Sequence, residues 1–452
     1  MTTTDDQRPD ARLHLNGFFP FGPNYVWDEA ESPEIYYQFE SFAQLARTAE
    51  RGLFTAIFLG DSQRLREHLG RITDTVVTGR PDQLVLFSHL AAVTERIGFV
   101  ATLNTTYSDP VDLARRIATV DLLSEGRVGW NLVTTDNAWT GENFRKGGYL
   151  RNEDRYRHAL EYLTIAQRLW DQESVDFHGD FYDVVAQPSV PQSPQVHPVL
   201  FQAGESDEGR DFAARHAEAV FSRYLALEPA LEFARDLTRR LHACGRGRDE
   251  IKIIPGAHIT LGDTTAEAHD KARWFYENTW TDRRIIAVIE SVWGRDLSDH
   301  DIDGPLPAFD PVKADQTTTH GVVNSRDRPL HTARQWRELA QARGLSIRGL
   351  VAHLNKTVEF VGTPDSVADE LTHYVRCGAI DGLNLTPNSV PGGFDDVVNR
   401  LVPELQDRGS YPDAYPGSRL RENLGLQLPV AHRLPHLNIH HTERIHSTYA
   451  NI

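Results

Sequence analysis

Short apolar runs alternate along the chain with longer stretches in which apolar positions recur every three to four residues. The first run, RLHLNGFF (12–19), begins with polar and apolar residues alternating and predicts a strand. Ser32-Pro33 then opens a helix, which IYYQFESFAQLARTAERG (35–52) carries to a glycine stop. LFTAIFLG (53–60) has the form of a fully buried strand, short and ended by glycine. The alternation continues with a helix over 83–96 capped by Asp82 and a strand at 97–105. Asp109-Pro110 opens a helix over 111–124, and a strand follows at 127–134. After an amphipathic helix from about Asn152 to Trp170, strands are predicted at 198–204, 218–224, 251–262 and 381–387, with helices after them.

Eight strands separated mostly by helical patterns predict an α/β fold, a closed parallel (β/α)8 TIM barrel. An open doubly wound sheet is the alternative, but no glycine-rich first turn favours it. The 452 residues are expected to form one barrel domain, with insertions at 173–197 and 291–330 and an irregular C-terminal extension over 410–452. The first insertion reads as a hairpin. The second is acidic, punctuated by proline and glycine, and without helical period, as expected of a lid or a disordered excursion.

Charge narrows the partners. Lys+Arg 47 against Asp+Glu 64 leaves a net charge of −17, which disfavours any broad nucleic-acid or anionic-membrane surface. No apolar run approaches the ~18 residues of a membrane span, and MTTTDDQRPDAR at the start does not read as a signal peptide. Two cysteines, Cys244 and Cys377, give no disulfide framework and no zinc spacing, so a cytoplasmic location and no metal are expected. Met1 is the only methionine, which suits a chain that handles activated oxygen and equally follows from genome base composition.

At the mouth of such a barrel the strand ends carry the chemistry. In PVLFQAGESDEGRDFAARHAEAVF (198–221), Gly204–Ser206 lie where a strand hands over to a helix N-terminus, a place suited to an anion. The spacing Gly204-x4-Gly209 is that of a Walker loop, but Arg210-Asp211 replaces its Lys-Ser/Thr pair. Glu205, Asp207 and Glu208 would also repel a triphosphate. Two readings stand: a single phosphate on Ser206 Oγ and backbone N–H groups, or a helix simply capped by Ser206. Asp61, Thr102, Asn104, Thr105, Asn131 and Thr134 end other strands, either as a ligand rim or as ordinary turn chemistry. Tyr156 shares a helix face with Leu160 and Leu163, as a core aromatic or with its hydroxyl toward the anion. Phe18, Phe19, Phe21, Tyr25 and Trp27 are candidates to keep water out, or plain core. His320 and His353 are candidate bases, and His436 with His440 has a metal-like spacing in what reads as an exposed tail.

Several of these stretches together carry a resemblance. AIFLGDS, LAAVTERIGFVATLNTTYSDP, ARRIATVDLLSEGRVGWNLVTT, NEDRYRHALEYL and the 198–221 segment resemble, in order, the nitrilotriacetate monooxygenase family of bacterial-luciferase-like flavoproteins. That group also holds dibenzothiophene-sulfone and long-chain-alkane monooxygenases. The resemblance implies a (β/α)8 barrel taking reduced FMN (FMNH2) from a separate NAD(P)H:flavin reductase. With O2 it would oxygenate a small organic substrate through a flavin (hydro)peroxide, in a homo-oligomer (dimer or tetramer). It assigns Asp61, Thr102, Asn152, Tyr156, Gly204, Glu205 and Ser206 to the cofactor, and Asn131 with Thr102 to the oxygen-holding catalytic pair. Asn152 stands where the family usually has histidine, Gly60 replaces a usual alanine and Glu205 a usual small residue. The stretch 18–32 also departs from the family pattern, so the substrate is expected to differ from the named ones. An F420-dependent oxidoreductase of the same barrel, or a non-catalytic flavin-binding protein, is the alternative.

Overall fold

A computed structural model describes residues 8–19, 26–27, 38–60, 63, 67–68, 71–72, 81–134, 138–144, 150, 152–312, 329–354, 359–390 and 392–429. Its main sheet contains β1 (His14–Phe18), β2 (Ala56–Leu59), β3 (Gly98–Asn104), β4 (Val128–Val133), β5 (Val199–Gln202) and β6 (Ala219–Val220). It continues with β7 (Lys252–Ile253), β8 (Gly256–Leu261), β9 (Glu359–Gly362) and β10 (Gly382–Leu385). Every pairing between them is parallel, in the order β7-β6-β5-β4-β3-β2-β1-β10-β8-β9.

Hydrogen bonds close this sheet into a ring. β7 and β8 are one stretch of chain. On one edge, Ile254 N–H donates to the Val220 carbonyl at 2.9 Å and Gly256 N–H to that of Ser222 at 3.2 Å. On the other, the N–H groups of Asp381, Asn384 and Thr386 donate to the carbonyls of Ile253, Pro255 and Ala257 at 2.8, 2.8 and 2.9 Å. Pro255 lacks an N–H and meets β10 only as an acceptor, which is why the stretch divides into two strands. The ring therefore has eight members: β1 to β6, the 252–261 stretch and β10. β9 flanks β8 outside it. It was not anticipated, because EFVG offers only two buried positions and no length.

The helices begin where the caps indicated. Asp82 Oδ1 accepts from Val85 N–H at 3.0 Å at the start of α2 (Gln83–Ala91). Asp109 accepts from Val111 and Asp112 at α3 (Pro110–Leu123). The helix predicted from Ser32-Pro33 is described only as α1 (Phe39–Arg51), residues 28–37 lying outside the described ones. α4 (Arg155–Trp170), α5 (Asp207–His216) and α6 (Leu227–Ala243) follow their strands. Val175–His178 and Asp183–Ala186 pair as an antiparallel hairpin.

After β8 come α7 (Thr265–Thr279), α8 (Asp282–Trp293), α9 (Pro329–Arg343) and α10 (Ile347–Leu354). Ile285, Ile289, Trp293, Leu297, Ile347 and Leu350 give this insertion a small core of its own. Within 291–330, α8 runs on to Trp293 and the irregular 294–312 is tied back by Trp293 Nε1–H to the Phe309 carbonyl at 2.9 Å. Residues 313–328 lie outside the described ones. α11 (Pro364–Arg376) leads back to β10.

An apolar cluster fills part of the barrel interior. Phe58, Val100, Val199, Phe201 and Ile254 pack there with Leu420, Leu424 and Leu426 of the C-terminal segment. That segment closes the N-terminal end of the barrel. Leu420 N–H donates to the Gly126 carbonyl, and a Cβ on Gly98 would stand 2.6 Å from Leu420 Cδ1. Arg421, fully buried, pairs with Glu218. The opposite, C-terminal end carries the strand ends at which sites of such barrels are built. Residues 430–452, with His436 and His440, lie outside the described ones.

Candidate functional site

Thr102 on β3 and Asn131 on β4 are register partners, both buried, at inward positions near the C-terminal end. Gln83 at the start of α2 holds the first: its Oε1 accepts from Thr102 N–H at 2.7 Å. Asn131 Nδ2 lies 3.0 Å from Thr102 Oγ1, and Asn131 Oδ1 is buried with no partner among the described residues. Whichever way the amide is turned, one polar atom bonds Thr102 and the other is left over. Such an atom costs about 1–3 kcal/mol when left without a partner, so it calls for an explanation.

The second group lies across β5. The Tyr156 hydroxyl, from the first turn of α4, is 3.4 Å from Gln202 Nε2 and is also met by the hydroxyls of Ser206 and Thr134. Its ring packs on Phe212, centroids 5.4 Å apart. Burial pushes its phenol pKa up, so the hydroxyl keeps its proton and can donate. A Cβ on Gly204 or on Gly209 would collide with that hydroxyl, which explains the two glycines at their spacing. Ser206 caps α5, its Oγ accepting from Gly209 N–H at 3.2 Å. Gly204 N–H is taken by Gln202 Oε1 at 2.6 Å. Glu205 N–H and Ser206 N–H have no acceptor among the described residues.

Two of the three acids that counted against an anion here are paired with arginines, while Glu208 is exposed. Glu205 Oε2 lies 2.6 Å from Arg223 Nε, and its Oε1 accepts from Arg223 N–H at 3.1 Å. Asp207 pairs with Arg240 at 2.7 Å. Arg210, in the position of a Walker lysine, points elsewhere: it bonds the Glu205 carbonyl, Asp236 and Tyr224.

The other expected positions divide. Asn104 serves its own turn, accepting from Thr106 N–H at 2.6 Å, and Thr105 bonds the Val133 carbonyl. Phe18 enters the barrel and stacks on Phe58 at 5.6 Å, whereas Phe19 packs outward against Phe42. Asn152 begins a short 3-10 turn before α4; its side chain, like Asp61, Phe21, Tyr25, the Trp27 side chain and His320, lies outside the described residues. His353 is exposed on α10, in the helical insertion rather than at the strand ends.

Sequence reading missed several buried polar groups. Asn16 Nδ2 donates to Asn384 Oδ1 at 2.9 Å, and Asn384 Nδ2 to the Ile254 carbonyl. Their signal was a polar residue at an inward register position of an apolar strand, as it was for His258 in GAHITL. Among the described residues no group of three His, Cys, Asp or Glu could hold a metal, and no helix is long and apolar enough to cross a membrane.

The profile of the luciferase-like monooxygenases matches residues 18–380, from the end of β1 to just before β10. The chain belongs to the luciferase-like monooxygenase family. It is 34% identical to nitrilotriacetate monooxygenase component A of Aminobacter aminovorans, over 86% of this chain and 90% of that protein. Among solved structures it is similar to the EDTA monooxygenase of Chelativorans sp. BNC1 (TM-score 0.69, 27% identity, 92% of this chain and 99% of that one). A riboflavin lyase determined with modified FMN and riboflavin is also similar (TM-score 0.73, 25% identity, 92% and 96%). The family resemblance read from the sequence is thereby established, and with it an α/β barrel and an oxidoreductase of the monooxygenase type.

Proposed function

We propose that this member of the family is a two-component monooxygenase. It takes FMNH2 from a separate NAD(P)H:flavin reductase and uses O2 to oxygenate a small organic substrate. The observation that carries the reading is the Tyr156 hydroxyl set into the Gly204–Gly209 notch beside Ser206, at a helix N-terminus where Glu205 and Asp207 are paired with arginines and Glu208 is exposed to solvent. Such a cradle fits a phosphate monoester, with about −1.5 to −2 charges. Tyr156 and Ser206 donate their hydroxyl protons to it. The Glu205 and Ser206 N–H groups add two donors, and the α5 dipole favours its charge.

Thr102 and Asn131 stand at the barrel mouth, where the isoalloxazine would lie. The leftover amide atom of Asn131 is the polar contact offered to the reacting edge and to oxygen. When bound, reduced flavin supplies two electrons, so that one oxygen atom passes to substrate and the other leaves as water. The chain itself binds, orients and keeps the site dry. Phe18, Phe58 and Phe221 make an apolar floor beneath the mouth, with ring centroids 5.6 to 6.2 Å apart.

Anaerobic titration with FMNH2 and with F420H2, then O2 with stopped-flow spectra, tests the proposal. It expects saturable FMNH2 binding, weak or no F420H2 binding, and oxygen consumption. Preference for F420H2 without oxygen use would replace it with hydride transfer. Tight FMN binding with no oxygen reaction would leave a flavin-binding protein.

A further inference from the structure

His258 stands on β8 and is 7% exposed. Two positions earlier, Gly256 faces the barrel centre, where a Cβ would sit 3.1 Å from the Phe221 ring. Phe221 in turn packs on Phe58 and Phe18. Alternation along the strand puts His258 on the same inward face, one layer nearer the C-terminal mouth. Around the ring of strands, β3 is reached from β8 in four steps either way, through β6, β5 and β4 or through β10, β1 and β2. His258 is therefore on the wall opposite Thr102.

Its neighbours determine which nitrogen carries the proton. Asn388 Nδ2 donates to the Ile259 carbonyl and meets Thr260 Oγ1, both at 2.9 Å. The amide is thus fixed with Oδ1 toward His258 Nδ1, 3.0 Å away. The Thr386 carbonyl also faces the ring. The Asn388 oxygen only accepts, so the imidazole gives its N–H to it at Nδ1. Burial lowers the ring's pKa, and near neutral pH it is uncharged with a single N–H. With Nδ1 as the donor, Nε2 is left with a lone pair.

We propose that His258 Nε2 is a hydrogen-bond acceptor in the substrate pocket, selecting a small, neutral, mainly apolar substrate that carries an O–H or N–H group. The inference rests on the monooxygenase site described above: the Thr102–Asn131 wall holds the reacting side and His258 the far side. The aromatic floor accepts an apolar body. An anionic group would meet a lone pair and be repelled, while a donor would satisfy it. His258 is a specificity-determining residue in this account.

Two measurements test it, with oxidised FMN bound to the full-length protein. The first is a long-range 15N–1H spectrum of 15N-histidine protein at pH 7, with the His258 signal assigned through His258→Gln. It expects the neutral Nδ1–H form; the Nε2–H form or a charged ring overturns the proposal. The second is binding of matched neutral aromatic pairs, phenols, benzyl alcohols and anilides beside their O- or N-methylated counterparts, read from the flavin absorbance. The donor members are expected to bind at least ~10-fold more tightly, the scale of an unpaired buried acceptor. That preference should vanish in His258→Phe and survive in large part in His258→Gln, whose amide can donate to Asn388 and still accept. No preference in the wild type, no pair binding at all, or a preference unchanged in His258→Phe overturns it. Failure of FMN to bind would instead remove the monooxygenase reading on which it stands.

Discussion

The carboxylate of Glu205 closes a two-point contact with Arg223, 2.6 Å to Nε and 3.1 Å to the backbone N–H, joining the loop after β5 to the loop after β6. An acid beside the proposed phosphate cradle is thereby paired without the arginine entering it. Arg223→Ala should weaken FMNH2 binding by about 3- to 10-fold at low salt, a modest change because the arginine side chain is largely exposed. Adding Glu205→Gln should restore most of the affinity. Anaerobic fluorescence titration at two salt concentrations checks this, and equal affinities for Arg223→Ala and wild type would contradict it.

The notch that receives the Tyr156 hydroxyl predicts a compensating pair. Gly204→Ala places a methyl group against that hydroxyl and against Gln202 Nε2. It should lower the melting temperature and cut FMNH2 affinity at least ~10-fold, since overpacking a tight site costs about 1–3 kcal/mol. Adding Tyr156→Phe removes the hydroxyl and should recover part of the melting temperature. Affinity should stay low, because a phosphate donor is lost. Recovery of both would mean that Tyr156 only packs.

How far the residues spoke for themselves differs between fold and site. Seven of the eight ring members follow one pattern, an apolar run between caps such as Asp82 and Asp109, and local physics alone makes them legible. The closing member was read as one strand, though Pro255 divides it; its role in closing the ring depends on β6 and β10, far away in the chain. The Gly204-x4-Gly209 spacing invited a nucleotide loop. Its structural reason is a tyrosine from another helix, which no local pattern displays. The pairing of Glu205 with Arg223 and of Asp207 with Arg240 was hidden for the same reason, so the acids read as more repulsive than they are. His258 went unremarked because its partner, Asn388, lies on a loop 130 residues on.

A variant of Asn131 distinguishes cofactor binding from the proposed oxygen handling. Asn131→Ala should leave FMNH2 affinity within about 3-fold, since the phosphate cradle carries most of the charge-assisted contacts. Oxygen reduction should shift toward free H2O2. Peroxide assay against oxygen uptake reads the ratio. Unchanged coupling would exclude Asn131 from the oxygen-holding role.

A buried carboxylate at the other end of the barrel sets a pH dependence of stability. Asp121 Oδ1 accepts from Val128 N–H at 2.9 Å and Gln195 Nε2 at 2.7 Å, and the Ser193 hydroxyl also faces the carboxylate. Burial outweighs these bonds and pushes its pKa up to about 6. The folded state therefore holds this proton more tightly than the unfolded chain. Its contribution is full below the unfolded value of 3.8 and is lost as pH rises through about 6. Two pKa units correspond to about 3 kcal/mol. Urea unfolding at pH 4.5 and pH 7.5 should show stability at pH 7.5 minus stability at pH 4.5 more positive in Asp121→Asn than in the wild type, by an amount of that order. An identical change would contradict the assignment.

The central claim is that a flavin phosphate docks where β5 passes into α5. A crystal structure of the protein with FMN tests it most directly. The phosphate is expected within hydrogen-bond reach of Tyr156 Oη, Ser206 Oγ and the Ser206 N–H, with the ring system reaching toward Thr102 and Asn131. A phosphate bound anywhere else on the barrel, with those three groups left to solvent, would contradict it.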